Sequence, residues 1–139
     1  MNIVALKETV SGERRTPITP QVADKLVKLG ATVTLEPGVG ASSYFGDEEY
    51  AKAGATFEPD RGKLLEAADL FLAVQPPALE TVEGLKRGAR VAGFLDPFFN
   101  HDLVRALAAK GVDALCMELI PRTTYAQKMD ALSSQASLA

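Results

Sequence analysis

Apolar residues in this chain gather in short runs, and between the runs they recur three and four positions apart, the alternation expected when strands and helices take turns. Residues 2–6, NIVAL, form an opening apolar run that reads as a strand, followed over residues 7–20 by a long polar connection holding Gly12, Glu13, Arg14 and Arg15. Thr19 is then placed as an N-cap with Pro20 at the first helical position, and Val22, Ala23, Leu26 and Val27 supply an apolar face that Gly30 ends. Residues 31–35 alternate Val33 and Leu35 with threonines and predict a second strand, turned by Pro37-Gly38-Val39-Gly40. A short helix over residues 47–53, closed by Gly54, and a brief strand over residues 55–57 come next.

The second half repeats the scheme. Residues 61–67 predict a helix with Leu64 and Leu65 on one face, and residues 69–74 form a nearly continuous apolar run of the kind buried on both faces of a parallel sheet. Gln75-Pro76-Pro77 stops that run, residues 79–85 predict a short helix, and residues 89–95 a strand. A helix over residues 100–110, capped by Asn100 and closed by Gly111, leads into a last strand over residues 112–120. Strand and helix alternating in this way predict an α/β fold: a mainly parallel sheet flanked by helices, a three-layer architecture of Rossmann- or flavodoxin-like type. Beyond the last strand, residues 120–134 read IPRTTYAQKMDALSS and pack Arg122, Gln127, Asp130, Ser133 and Ser134 into a connection. Pro121 blocks the strand from continuing, and helical spacing from Met129 would turn Gln127, Asp130 and Ser134 to a common face. A plainer reading makes Asp130 a helix-start residue near the positive end of the dipole.

Composition narrows the partners rather than the fold. The chain has 139 residues, 47% hydrophobic and 24% charged, which suits one globular domain with a real core and excludes disordered and fibrous classes. Fifteen basic and 18 acidic residues are interspersed, for a net charge of −3, so a nucleic-acid footprint has no support. Cys116 stands alone within an apolar run and is expected to act as a small buried hydrophobe. The longest apolar run falls far short of the roughly 18 residues of a membrane span, and residues 2–8 do not resemble a signal peptide, so the expectation is a soluble, cytoplasmic chain. The helical pattern is still running at Ala139, with no Gly, Asn or Pro to close it, which predicts a sequence cut from something longer.

Candidate chemistry is sparse. Gly38-Val39-Gly40 resembles a phosphate-binding fingerprint only superficially, since it follows the second strand, lacks a third glycine and has no helical pattern directly behind it, and it reads as a structural turn. One His (His101, at a helix start) and one Cys give no metal constellation, and no Ser lies on a glycine-flanked elbow. The remaining candidate is the connection after the first strand, with Lys7, Glu8, Glu13, Arg14 and Arg15. Loops at that end of an α/β sheet hold ligands, yet Arg15 paired with Glu8 or Glu13 would simply brace the loop, and both readings stay open.

Lys7-Glu8, Glu13-x-Arg15, Thr19-Pro20, Gly38-x-Gly40, Tyr50 with Ala53-Gly54-Ala55, Pro121-Arg122 and Asp130-Ala131-Leu132-Ser133-Ser134 together resemble the N-terminal domain shared by alanine dehydrogenase and proton-translocating NAD(P) transhydrogenase. The resemblance runs over nearly the whole chain, residues 1–139. Alanine dehydrogenases of that family carry a substrate-binding Lys and a His at positions occupied here by Gln75 and Asp96, which takes away a cation for the substrate carboxylate and an imidazole for proton transfer. The transhydrogenase branch is marked by Arg, Gln, Asp and Ser at fixed spacing, matched by Arg122, Gln127, Asp130 and Ser133.

What the resemblance implies is that these four residues contact NAD(H): Gln127 and Asp130 fixing the nicotinamide, Arg122 and Ser133 meeting the nucleotide or tying the loop. It implies direct hydride transfer to NADP(H) on a separate component, proton translocation by membrane-spanning partners, and a homodimer of the complete subunit, peripheral to the inner membrane. A Rossmann subdomain that cradles the cofactor is expected to lie beyond these residues, leaving this chain alone with weak or no NAD binding and no activity. The runners-up are an alanine-dehydrogenase-like amino-acid oxidoreductase, with Arg15 on the substrate carboxylate, and a non-catalytic interaction domain.

Overall fold

The computed structural model describes residues 1–131; Leu132, Ser133, Ser134 and the rest of the expected terminal helix lie outside the described residues. Six strands, β1 (Asn2–Ala5), β2 (Thr32–Leu35), β3 (Thr56–Phe57), β4 (Leu70–Leu72), β5 (Arg90–Gly93) and β6 (Asp113–Cys116), form one sheet in the order β3-β2-β1-β4-β5-β6. Every pairing is parallel, with Ile3 beside Val33 on one side and Leu70 on the other. The sheet is thus wholly parallel where the sequence predicted a mainly parallel one.

Helices α1 (Pro20–Lys28) and α2 (Asp47–Lys52) cover one face, and α3 (Arg61–Ala67), α4 (Leu79–Gly84) and α5 (His101–Lys110) the other. Local chemistry explains their bounds. Thr19 accepts a hydrogen bond from the Val22 N–H at 3.4 Å ahead of Pro20, Asp60 accepts from Gly62 and Lys63, and Asn100 accepts from Leu103. Gly111, in the left-handed region, closes α5.

Two cores result, one per face. Ile3, Ala5, Val33, Leu35 and Tyr50 pack under α1 and α2, while Val4, Phe71, Val91, Leu103 and Leu107 pack under α3 to α5. Alternating residues of β1 feed opposite cores, so this strand is buried on both faces as the innermost strands of parallel sheets are. β4 departs from expectation: Phe71 is buried but Leu70 and Leu72 are only half-buried, because α1 and α2 cover the β1 to β3 half of their face.

Two further differences concern the end of the chain. β6 stops at Cys116, and Met117–Leu119 coil into a 3-10 turn instead of completing the strand expected to run to Ile120. That turn carries Glu118 back to the end of β5, where its carboxylate accepts hydrogen bonds from the Leu95 and Asp96 N–H groups at 2.8 and 2.5 Å. Cys116 is half-buried rather than buried, with burial and then the charge of Glu118 pushing its thiol pKa up. Residues Thr124–Met129 also form a 3-10 turn, which Asp130 leaves in an extended conformation. Gln127 is exposed and Asp130 buried, so the two do not share a face as helical spacing predicted.

Candidate functional site

The order of strands reverses between β1 and β4, and in doubly wound sheets ligands bind in the crevice beyond the carboxyl ends of the strands at that point. Here the crevice holds the chain's own acid. The Glu8 carboxylate accepts from the N–H groups of Val74 at 2.5 Å and Gln75 at 3.3 Å, just past the end of β4. Glu36, past β2, likewise accepts from the Lys7 N–H at 2.7 Å and pairs with Arg61. Carboxylates therefore satisfy backbone donors along this edge, where an anionic ligand would otherwise be received.

Next to Glu8 lies a tighter cluster. Glu13 accepts from the Arg15 Nε at 2.8 Å and Nη2 at 2.7 Å, from the Arg15 N–H at 2.9 Å, and from the Gln75 amide at 2.6 Å. Its side chain is only 6% exposed although that of Arg15 is 60% exposed. The Arg15 guanidinium, supported by Gln75 and opposed by burial, holds the Glu13 carboxyl far below its ordinary 4.5, and Glu13 in turn raises the pKa of Arg15. The guanidinium carbon also lies 5.8 Å from the centroid of the Phe94 ring, a cation–π contact. Arg15 is thus fixed by Glu13, one of the two partners that the bracing reading allowed, with Gln75 as a third member of the cluster.

The same connection is pinned from below. Tyr50 is fully buried and its hydroxyl donates to the Ile18 carbonyl at 2.8 Å, which Thr16 also approaches at 3.0 Å; burial raises the Tyr50 pKa. Gly40 makes room for that ring, since a Cβ there would stand 2.5 Å from the Tyr50 oxygen. The Gly38-x-Gly40 turn is accordingly structural: Gly38, at φ +77°, donates its N–H to Asp47 at 2.9 Å. Ser43 donates to the Arg14 carbonyl at 2.6 Å, and the Arg14 guanidinium hydrogen-bonds to the Tyr44 hydroxyl and packs over its ring.

An open cleft of about 660 Å³ runs along this edge, lined among others by Arg15, Thr16, Thr19, Gly93, Phe94 and Lys128. Gly93 is required there, because a Cβ would come within 2.3 Å of the Ala73 carbonyl oxygen. From the segment dense in polar groups, Lys128, Met129 and Ala131 line the cleft, whereas Arg122, Gln127 and Asp130 are not among its lining residues. Arg122 is exposed, and its Nε lies 3.8 Å from Asp130 Oδ2, whose side chain is 10% exposed. The structure thus brings Arg122 and Asp130 together and leaves the Gln127 side chain exposed on the turn between them, while Ser133 lies outside the described residues. Sequence reasoning placed Glu8 in the ligand-edge connection and Gln75 at a strand end without foreseeing the bonds they make there, and it did not assign Phe94 or Glu118 to the edge. Glu8 and Gln75 stood at ends of predicted strands and were within reach of such reasoning; nothing local marked Glu118.

No helix among the described residues is long and apolar enough to cross a membrane, and no group of three His, Cys, Asp or Glu among them is placed to hold a metal ion. Fold and site define a doubly wound α/β domain with an open cleft at its carboxyl edge but no glycine-rich phosphate loop after β1. Comparison with known proteins is specific. The family model for the alanine dehydrogenase/PNT N-terminal domain matches residues 4–139, and the chain belongs to that family.

The chain is 40% identical to NAD(P) transhydrogenase subunit alpha of Cereibacter sphaeroides, over 100% of this chain and 27% of that protein. It is 32% identical to alanine dehydrogenase of Halomonas elongata, over 86% of this chain and 32% of that one. The crystal structure of transhydrogenase from Sinorhizobium meliloti superposes with a TM-score of 0.89 at 37% identity, covering 97% of this chain and 41% of that chain. The chain therefore spans well under half the length of these relatives.

Proposed function

We propose that this chain is part of the NAD(H)-binding component of an NAD(P) transhydrogenase, in which residues 120–131 and the connection after β1 form the walls of a cleft that receives the nicotinamide end of the cofactor. The observation that carries the reading is the placement of the polar segment. Lys128 and Met129 line the same cleft as Arg15 and Thr16, so a segment distant in sequence faces the ligand edge of the sheet. Arg122, Gln127, Asp130 and Ser133 are the proposed cofactor-binding residues. Gln127 offers an exposed amide that can both donate to and accept from a carboxamide, and Asp130 pairs with the exposed Arg122. When bound, NAD(H) supplies the nicotinamide carbon that gives or takes hydride. The residues of this chain orient the ring and need no general base, since transfer between two rings depends on placement.

The rest of the dinucleotide does not fit these residues. No glycine-rich turn follows β1, and Glu8 fills the backbone donors at the switch point. The nucleotide is accordingly held by a separate Rossmann subdomain, NADP(H) by another component, and proton translocation falls to membrane-spanning partners, with a homodimer of the complete subunit at the cytoplasmic side of the inner membrane. The reading as an alanine-dehydrogenase-like oxidoreductase is weaker because Gln75 and Asp96 supply neither a cation for the substrate carboxylate nor an imidazole for proton transfer.

Hydride transfer between NADH and NADP⁺ in the assembled enzyme tests the proposal. Arg122→Ala and Gln127→Asn should each slow it about ten- to a hundredfold, the scale of misplacing a reacting ring. Unchanged rates in both would leave a non-catalytic interaction domain, and robust alanine-dependent NADH formation by the parent protein would put it in the dehydrogenase branch.

A further inference from the structure

The ladder between β5 and β6 ends with the pair Gly93 and Cys116. The next residue of each chain, Phe94 and Met117, lines the open cleft, so the spacing of these two side chains is set just where the sheet stops holding its strands together. There a side chain takes over from the ladder: Glu118 Oε1 accepts hydrogen bonds from the Leu95 N–H at 2.8 Å and the Asp96 N–H at 2.5 Å. A charged acceptor binds a donor about twice as strongly as a neutral one. The turn it holds is strained, since Asp96 sits at φ +49°, a left-handed conformation that a residue with a Cβ adopts at a cost. The Asp96 carbonyl is fixed as well, accepting from the Phe99 N–H at 3.1 Å and from the N–H of Asn100, the cap of α5, at 2.8 Å.

We infer that Glu118 is a positioning residue, which clamps the turn after β5 to the root of residues 120–131 and thereby sets Phe94 and Met117 against the polar segment that follows. The inference rests on the proposed function and deepens it, by adding a residue that acts on the placement of the nicotinamide without touching it. Glu118 is not among the lining residues of the cleft, whereas its neighbour Met117 is. The turn to which both belong, Met117–Leu119, leads through Ile120 and Pro121 straight to Arg122.

The strain explains why a single acceptor matters. A left-handed residue other than glycine persists only where its surroundings over-determine it, and Glu118 supplies the hold on the N–H side of Asp96. Without that hold the turn can relax, and Phe94, joined directly to Leu95, moves with it. Residues 117–122 lose the same tie from the other side. Hydride transfer between two rings depends on placement, and a shift of about 1 Å slows such a reaction about a hundredfold. Loss of Glu118 thus reaches the reaction through Phe94, Met117 and the polar segment.

Single-turnover hydride transfer from NADH to NADP⁺ in the assembled enzyme tests the role, because it separates rate constant from amplitude. A residue that merely supports the fold lowers the amplitude, whereas one that positions lowers the rate constant. Glu118→Ala should lower the rate constant about tenfold or more. Glu118→Gln, which keeps an uncharged oxygen within reach of the same N–H groups, should restore it to within about threefold. Should Glu118→Ala fail to assemble, Glu118→Asp is read in its place; it keeps the charge on a side chain too short to hold both groups and should show the same fall. An unchanged rate constant in the assembled variant overturns the inference, as does an equal fall in Glu118→Gln, which would mean that the carboxylate itself meets the ligand. Arg122→Ala and Gln127→Asn, measured alongside, separate the two failures. If they slow transfer and Glu118→Ala does not, only the positioning role is lost; if none of the three slows it, the proposed function falls and the inference falls with it.

Discussion

The two walls of the cleft are built in opposite ways. The connection after β1 is held by the shielded Glu13 carboxylate paired with the exposed Arg15 guanidinium, by Tyr50 from below and by Ser43 and Tyr44 from the side, so that its side chains are largely committed to one another. Across the cleft, residues 120–131 are anchored by buried Ala126 and the Arg122–Asp130 pair, and Arg122, Gln127 and Lys128 face solvent. The first wall has its hydrogen bonds made before any ligand arrives, which makes it a shaping surface. The second keeps donors and acceptors in water, where exchanging them for a ligand's polar groups costs little. Under the proposed function, the contrast gives shape to one wall and recognition to the other.

Substitutions can break or sharpen that division. Tyr50→Ala removes the buried ring and the hydrogen bond to Ile18 together and should destabilise the protein by about 3–5 kcal/mol in urea unfolding, the range for emptying an aromatic site. A loss well below this would mean that the first wall does not depend on its underlying core. Glu13→Gln, which removes a charged acceptor shared by Arg15 and Gln75, should cost about 1.5–3 kcal/mol.

That second effect should also depend on pH. A carboxyl whose folded pKa lies below its unfolded one stabilises the fold fully above the unfolded value and loses that contribution as pH falls through the folded value. Glu13 is shifted downward from 4.5, so its contribution should be complete above that pH and decline progressively below it. The stability gap between the unsubstituted protein and Glu13→Gln should therefore narrow as the medium is acidified from pH 4.5; a gap that widens on acidification would contradict the direction of the shift.

The second wall should respond in the opposite sense, with small changes in stability and large ones in function. Arg122→Ala breaks an ion pair that is mostly solvent-exposed on one side and should cost less than about 1 kcal/mol. Gln127→Asn, on an exposed turn, should leave the unfolding midpoint unchanged within about 0.5 kcal/mol. If either substitution proved as destabilising as Glu13→Gln, residues 120–131 would be part of the scaffold and the distinction between the walls would fail.

Much of the scaffold was readable along the chain because its signals are local. Thr19-Pro20, Asn100 and Gly111 fix helix ends through bonds to residues three or four positions away, and the alternation around Val33 and Leu35 reflects the period of a strand. The structured part of the polar segment was less readable. Its 3-10 turn replaces the helical spacing expected of Gln127 and Asp130, and its burial of Asp130 depends on contacts that no local pattern reports.

By itself, then, the sequence determined the alternation of strands and helices, the caps, the parallel character of the sheet and the density of polar groups in residues 120–134, all consequences of backbone preferences and side-chain period within a few residues. Only the tertiary structure decided that β4 pairs beside β1, and hence that Glu8 meets the Val74 and Gln75 N–H groups 66 and 67 residues away. It likewise decided that Glu13 takes Gln75 from across 62 residues, that Glu118 curls back to β5, and that Lys128 and Arg15 line one cleft. Such contacts arise from the order in which the strands pair, and that order goes with how two apolar faces are shared among the helices of the described residues rather than with any single stretch of residues.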